Sequence, residues 1–173
     1  MRHLIASMLA ALVLTNSART QELSEKVKQR AGEKAFQILK NATKVEVYRV
    51  NPRKEAKAEG KLIGGFKITA TGKEQGKEFA AQLLEAVSQE KTWFGTQARC
   101  FLPGVAFRAV ADKEAVEFII CFGCSNFVMN VVDGTGKVVH TASGAFGGNV
   151  GPLLKVTKAA FPEDKDIQEL KEK

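Results

Sequence analysis

From Leu23 to Leu39 the apolar residues Leu23, Val27, Ala31, Ala35 and Leu39 recur at every fourth position, with Lys26, Lys28, Arg30 and Lys34 elsewhere around the turn. This spacing predicts one amphipathic helix. The period then changes. "KVEVYRV" (Lys44 to Val50) alternates, and its β-branched valines suit a strand. A charged connection containing Pro52, Gly60, Gly64 and Gly65 leads to "GFKITATG", where Phe66, Ile68 and Ala70 alternate with Lys67 and Thr69 as in a half-buried strand. Thr71 with Glu74 three residues later predicts a capping box, in which hydroxyl and carboxylate each accept from a free backbone N–H. The helix it would open carries Phe79, Leu83 and Val87 on one face and should end near Lys91.

Beyond Cys100 the pattern becomes a run of strands: Val105 to Val110, Ala115 to Phe122, Phe127 to Val132 and Lys137 to Ala142. "ADKE" and "DGTG" are polar turns of hairpin length. Pro152, at a first helical position, opens a helix through Leu153, Val156, Ala160 and Phe161, and Pro162 stops it. The expectation is an α+β domain: an antiparallel sheet of about six strands, the last four a C-terminal meander, with about three helices packed mainly on one face. The domain should run over residues 19–162, followed by a charged tail at 163–173 that is expected to fray.

Composition adds a compartment. The chain has 173 residues, a length that suits a single domain able to bury its core without disulfides. Residues 1–18, "MRHLIASMLAALVLTNSA", have a short basic start and an apolar run from Leu4 to Leu14, followed by small and polar residues. That order is expected of a signal peptide, and the run is too short to span a bilayer. The protein is therefore expected to be exported, periplasmic or secreted, with no transmembrane segment after processing.

The formal charge of +7 is uneven. Lys26 to Arg99 holds sixteen Lys or Arg against eight Asp or Glu, whereas residues 161–173 are net −2. This basic half could meet an anionic partner such as nucleic acid, lipid or acidic glycan. Its cations alternate with apolar and acidic residues, however, as on a solvated surface. No basic cluster is interleaved with aromatics as single-strand binding requires. "GAFGGNVG" (Gly144 to Gly151) matches neither a phosphate loop nor a dinucleotide fingerprint and reads as a flexible loop. "NAT" (Asn41 to Thr43) is a glycosylation pattern relevant only in a eukaryotic secretory pathway.

Candidate chemistry rests on Cys100, Cys121 and Cys124. In an exported chain an odd count implies one disulfide and a spare thiol, an intermolecular bond, or thiolates on a metal. A disulfide is the leading expectation, either from Cys100 to one of the pair or within Cys121-x-x-Cys124. Because Cys100 leads one strand and Cys121 ends the next, hairpin pairing is read here as placing them at opposite ends. A zinc site would need Cys100, Cys121, Cys124 and His140 as a closed tetrahedron, though the spacings match no zinc ribbon. A thioredoxin-type dithiol needs a helix N-terminus after the first sulfur, and here a strand follows. A Cys–His hydrolase would have His140 as its one candidate base and shows no local signature.

"ARCFLPGVAFRAV…VEFIICFGC" resembles a group of uncharacterised small exported bacterial proteins. They share a Cys-Phe-x-Pro segment and, about twenty residues later, Ile-Cys-Phe-x-Cys. The matching positions are Cys100, Phe101, Pro103, Ile120, Cys121, Phe122 and Cys124. Where the group often has a basic residue and a histidine after the proline, this chain has Gly104 and Val105. The resemblance implies a three-cysteine unit and lends no activity. With no acid–base pair at a recognisable spacing, the reading is an exported, non-enzymatic binding or structural domain with a cysteine cluster. The alternative is a zinc or thiol-redox site on the CFGC motif.

Overall fold

A computed structural model describes residues 23–53, 59–96 and 98–172; the expected leader, 1–18, lies outside them. The first helical stretch divides at glycine. α1 (Glu25–Ala31) is capped by Ser24, whose hydroxyl accepts from the Val27 N–H at 3.4 Å, and it ends at Gly32 with φ +80°. α2 (Glu33–Asn41) starts directly after. Gly32 is needed twice: the left-handed φ disfavours a side chain, and a Cβ there would sit 3.1 Å from His140 Cδ2. The four-residue spacing survives the break, because Val27, Ala31, Ala35 and Leu39 are all buried.

The strands are β1 (Lys44–Val50), β2 (Leu62–Ile63), β3 (Phe66–Thr71), β4 (Gln75–Gly76), β5 (Val105–Ala111), β6 (Glu114–Cys121), β7 (Asn126–Val132) and β8 (Val138–Ala145). They form one antiparallel sheet in the order β2-β3-β1-β5-β6-β7-β8, with β4 also paired to β1. The C-terminal four-strand meander is present as expected. The described residues hold eight strands rather than six, because β2 and β4 are only two residues long.

Helices α3 (Lys77–Ser88), α4 (Gly151–Ala160) and α5 (Lys165–Gln168) bring the described helices to five rather than three. The capping box does not form. Thr71 ends β3 beside Tyr48, and α3 begins six residues later after Gly76, with no side-chain cap. The stretch Gln75–Gly76 is held to β1 instead, so strand pairing overrides the local capping pattern. The acidic tail is not simply frayed. Asp164 caps α5 by accepting from the Ile167 N–H at 3.1 Å, and Ile167 is 2% exposed.

One face of the sheet carries the main core. Val45, Val47, Phe107, Phe118, Phe127 and Met129 project there against α2, α3 and α4. Trp93 stands edge-on to Phe127 at 4.7 Å and donates its indole N–H to the Val87 carbonyl at 2.6 Å. Each such fully buried side chain contributes about 1.5–3 kcal/mol, so the large majority of the stabilising burial lies on this face. The other face has a small apolar group of Val50, Ile63, Phe66, Ala106 and Ile119, with Phe101 edge-on to Phe66. The β2–β3 turn folds over this group. Next to it the sheet face turns polar.

Candidate functional site

The register of five strands lines up one polar residue from each. Glu46 on β1 pairs Arg108 on β5, Arg108 pairs Glu117 on β6, Glu117 pairs Asn130 on β7, and Asn130 pairs Thr141 on β8. Directly opposed residues share a face, so the five form a continuous row across the side away from the main core.

The row is hydrogen-bonded at its inner end. The Thr141 hydroxyl donates to Asn130 Oδ1 at 3.0 Å, and Asn130 Nδ2 lies 3.5 Å from Glu117 Oε2. The Gly64 N–H donates to the same carboxylate oxygen at 3.2 Å, and the Arg108 guanidinium is 3.7 Å from the other. Glu117 is 7% exposed and Asn130 6%, so a charge and an amide are buried where apolar residues would pack. Gly64 can reach Glu117 because its φ is +55° and it has no Cβ, which would lie 2.7 Å from Ile119 Cδ1.

At the outer end Glu46 accepts from Lys44 Nζ at 2.9 Å and from the Tyr48 hydroxyl at 2.8 Å. Burial opposes ionisation of Glu46, but the hydrogen bonds from Lys44 and Tyr48 and the charges of Lys44 and Arg108 outweigh it. Its pKa is held below the ordinary carboxylate value. The Tyr48 phenol is pushed up to about 12, by burial first and then by its bond to the Glu46 carboxylate. Lys44 is raised by its bond to Glu46 and by that residue's charge.

Between this outer end and the β2–β3 hairpin is a cleft of about 350 Å³, lined by Glu46, Tyr48, Lys61, Leu62, Ile63, Ile68 and Arg108. Both carboxylates of the row already have donors. The unspent donors belong to the cations: among the described residues the Arg108 guanidinium, with five N–H groups, has one ion-pair contact at 3.7 Å, and Lys61 has no ion-pair partner. The cleft can therefore accept an anion, with an apolar wall of Leu62, Ile63 and Ile68 beside it.

The cysteines lie at another corner. Cys121 and Cys124 form a disulfide across the β6–β7 turn, with Cα atoms 5.3 Å apart, and Cys100 is an exposed free thiol. Closing so short a loop constrains the unfolded chain by only about 2 kcal/mol, against about 3 for a fifteen-residue loop. The expectation that Cys100 and Cys121 lie at opposite ends is corrected. In an antiparallel hairpin the start of one strand meets the end of the next: Val105 pairs Ile120, and the Gly104 N–H donates to the Ile120 carbonyl at 3.1 Å. The loop carrying Cys100 thus passes over the turn, where the Leu102 N–H points at Cys124 Sγ at 3.4 Å. Asn126 Nδ2 holds that loop through the carbonyls of Ala98 (2.9 Å) and Cys100 (3.3 Å).

His140 does not join them. It pairs Val131, five residues along β8 from Ala145, the partner of Asn126; at strand rise this is about 17 Å. The Cys100, Cys121, Cys124 and His140 set is not assembled as a zinc tetrahedron, and His140 is out of reach as a base for any of the three cysteines. Among the described residues no three His, Cys, Asp or Glu side chains are gathered to hold a metal ion. The glycine-rich loop is built in rather than loose: Phe146 is fully buried, and Asn149 Nδ2 donates to Gln89 Oε1 and Thr92 Oγ1, both at 3.0 Å. Several cations of the basic half are spent on carboxylates, among them Lys26 on Glu90, Lys34 on Glu114 and Arg49 on Asp164.

No protein-family model matches this chain, and no curated protein or solved structure matches it either.

Proposed function

We propose that this chain is a binding domain whose cleft beside the polar row holds a small organic acid without transforming it. The ligand carboxylate would meet Arg108 and Lys61, and its apolar body would lie against Leu62 and Ile68. The observation that carries this reading is the buried row itself. Glu117 and Asn130 replace apolar packing at a cost in stability, and Glu117 Oε1 lies 3.7 Å from the guanidinium of Arg108, which lines the cleft. The domain acts outside the cytoplasm in this proposal, a view supported by the leader-like first residues and by the paired Cys121 and Cys124.

The test is thermal unfolding of wild type and Arg108→Gln with benzoate as probe, and with benzyl alcohol and inorganic phosphate as controls. A ligand at ten times its Kd stabilises by about 1.4 kcal/mol, a rise in Tm of about 3–6 °C for a domain of this size. Wild type should show this rise with benzoate, and neither control should produce it. Arg108→Gln should lose it. An equal rise with phosphate, or no difference between the two proteins, would overturn the organic-acid reading.

A further inference from the structure

Three features at the β6–β7 corner concern sulfur and have no part in the cleft. The disulfide is buried, with Cys121 2% and Cys124 5% exposed, whereas Cys100 beside it is exposed and free. Each bonded sulfur receives a backbone N–H: Cys124 N–H to Cys121 Sγ at 3.1 Å, and Leu102 N–H to Cys124 Sγ at 3.4 Å. Finally, Asn126 Oδ1 is buried with no donor among the described residues, on the side chain whose amide nitrogen grips the Cys100 carbonyl.

We propose that the three cysteines form a thiol–disulfide exchange centre, in which Cys100 is the outward-facing thiol that relays between a partner dithiol and the buried Cys121–Cys124 bond. Direct attack on the disulfide by an outside thiol is blocked by burial. Cys100 is not so limited. It lies two residues from Leu102, at most about 7 Å along the chain, and Leu102 already touches Cys124 Sγ. A shift of the 98–102 loop alone brings Cys100 to that sulfur, and Asn126 Oδ1 supplies an acceptor for a donor of the incoming loop.

The chemistry balances. Cys100 gives its thiol proton to solvent, and the thiolate attacks Cys124 Sγ. The Cys100–Cys124 bond forms as the Cys121–Cys124 bond breaks. Cys121 leaves as a thiolate, stabilised by the Cys124 N–H, and takes a proton from solvent. One disulfide and one thiol are present before and after, so this step needs no oxidant. A partner dithiol can then attack Cys100 Sγ, which is now part of an accessible bond. Cys124 leaves as thiolate and a mixed disulfide forms. The second partner thiol attacks its own bonded sulfur and releases Cys100. The partner is oxidised by two electrons, and the Cys121–Cys124 pair is reduced by two. A thioredoxin-type dithiol takes its leaving-group stabilisation from a helix N-terminus; here two backbone N–H groups fill that role, since hydrogen bonds to a thiolate favour the charged form.

Two measurements on the full chain test the relay. Trypsin cleavage after Arg99 and Arg108 isolates Cys100, and cleavage after Lys113 and Lys137 isolates Cys121 with Cys124. Equilibrated in glutathione redox buffer, Cys121→Ser should yield the Cys100–Cys124 cross-linked peptide. Dithiothreitol should reduce the wild-type disulfide at least about tenfold faster than that of Cys100→Ser, because only wild type can bring the bond to the surface. Free Cys100 and Cys124 thiols in folded Cys121→Ser would overturn the proposal, as would equal reduction rates. Should Cys121→Ser fail to fold, the rate comparison decides alone, since Cys100→Ser keeps the native disulfide. Neither result depends on whether the cleft binds an acid.

Discussion

Glu46→Gln should make the protein's tyrosine easier to ionise. The chain has one tyrosine, Tyr48, so the ultraviolet absorbance of tyrosinate reports a single site. In the native protein its midpoint should stand at about 12, against about 10 for an unperturbed phenol. Burial is the larger cause, and the 2.8 Å bond to Glu46 with that residue's charge makes up much of the rest. Substituting glutamine keeps an acceptor and removes the charge, so the midpoint should fall while burial still holds it above the ordinary phenol value. Because Tyr48 has a raised pKa when folded, its contribution to stability is complete below about pH 10 and declines as pH rises towards 12. The upper bound on that decline is about 2.7 kcal/mol, and solvent screening lowers it because Tyr48 is only part-buried. A native midpoint near 10, or one unmoved by Glu46→Gln, would refute the hydrogen-bonded arrangement at the outer end of the row.

Glu46 works in the opposite direction. Its lowered pKa contributes stability above the ordinary carboxylate range that is lost as pH falls through the folded value, so the stability advantage of wild type over Glu46→Gln in denaturant unfolding should be full at neutral pH and shrink on acidification. Gly64→Ala should cost about 1–3 kcal/mol, read by denaturant unfolding, because the φ of +55° disfavours a side chain and the new Cβ would press on Ile119. Ile167→Ala should cost about 2–5 kcal/mol in the same assay, whereas a frayed tail would show almost no change.

The parts of the fold that were legible in the sequence are those fixed by local period. Alternation in "KVEVYRV" correctly separates buried Val45 and Val47 from Lys44, Glu46 and Tyr48, and the meander strands fall within one to three residues of their expected bounds. Where local pattern competed with tertiary pairing, it lost. Thr71 and Glu74 have the residue types of a capping box, yet Thr71 and the two residues after Glu74, Gln75 and Gly76, are paired to β1. Gly32 sits inside an unbroken four-residue spacing, and its positive φ leaves that spacing intact, so nothing in the pattern marks two helices.

The polar row was not legible. Glu46, Arg108, Glu117, Asn130 and Thr141 span 95 sequence positions and meet only through the register of five strands. Each taken singly looks like an ordinary polar residue on an alternating strand. The available hint was the pair of polar side chains Glu117 and Asn130 inside otherwise apolar runs, "AVEFIICF" and "FVMNVV". The cysteine pair was legible as a motif, but its relation to Cys100 required the antiparallel connection to be followed through to its ends.

The most direct test of the binding site is where a probe acid perturbs the backbone. Titrating isotopically labelled full-length protein with benzoate, and following amide shifts, should move Glu46, Tyr48, Leu62, Ile68 and Arg108 together along one saturating curve. The same titration of Arg108→Gln should leave them still. Shifts confined to the helices, or none at the cleft in wild type, would contradict the account.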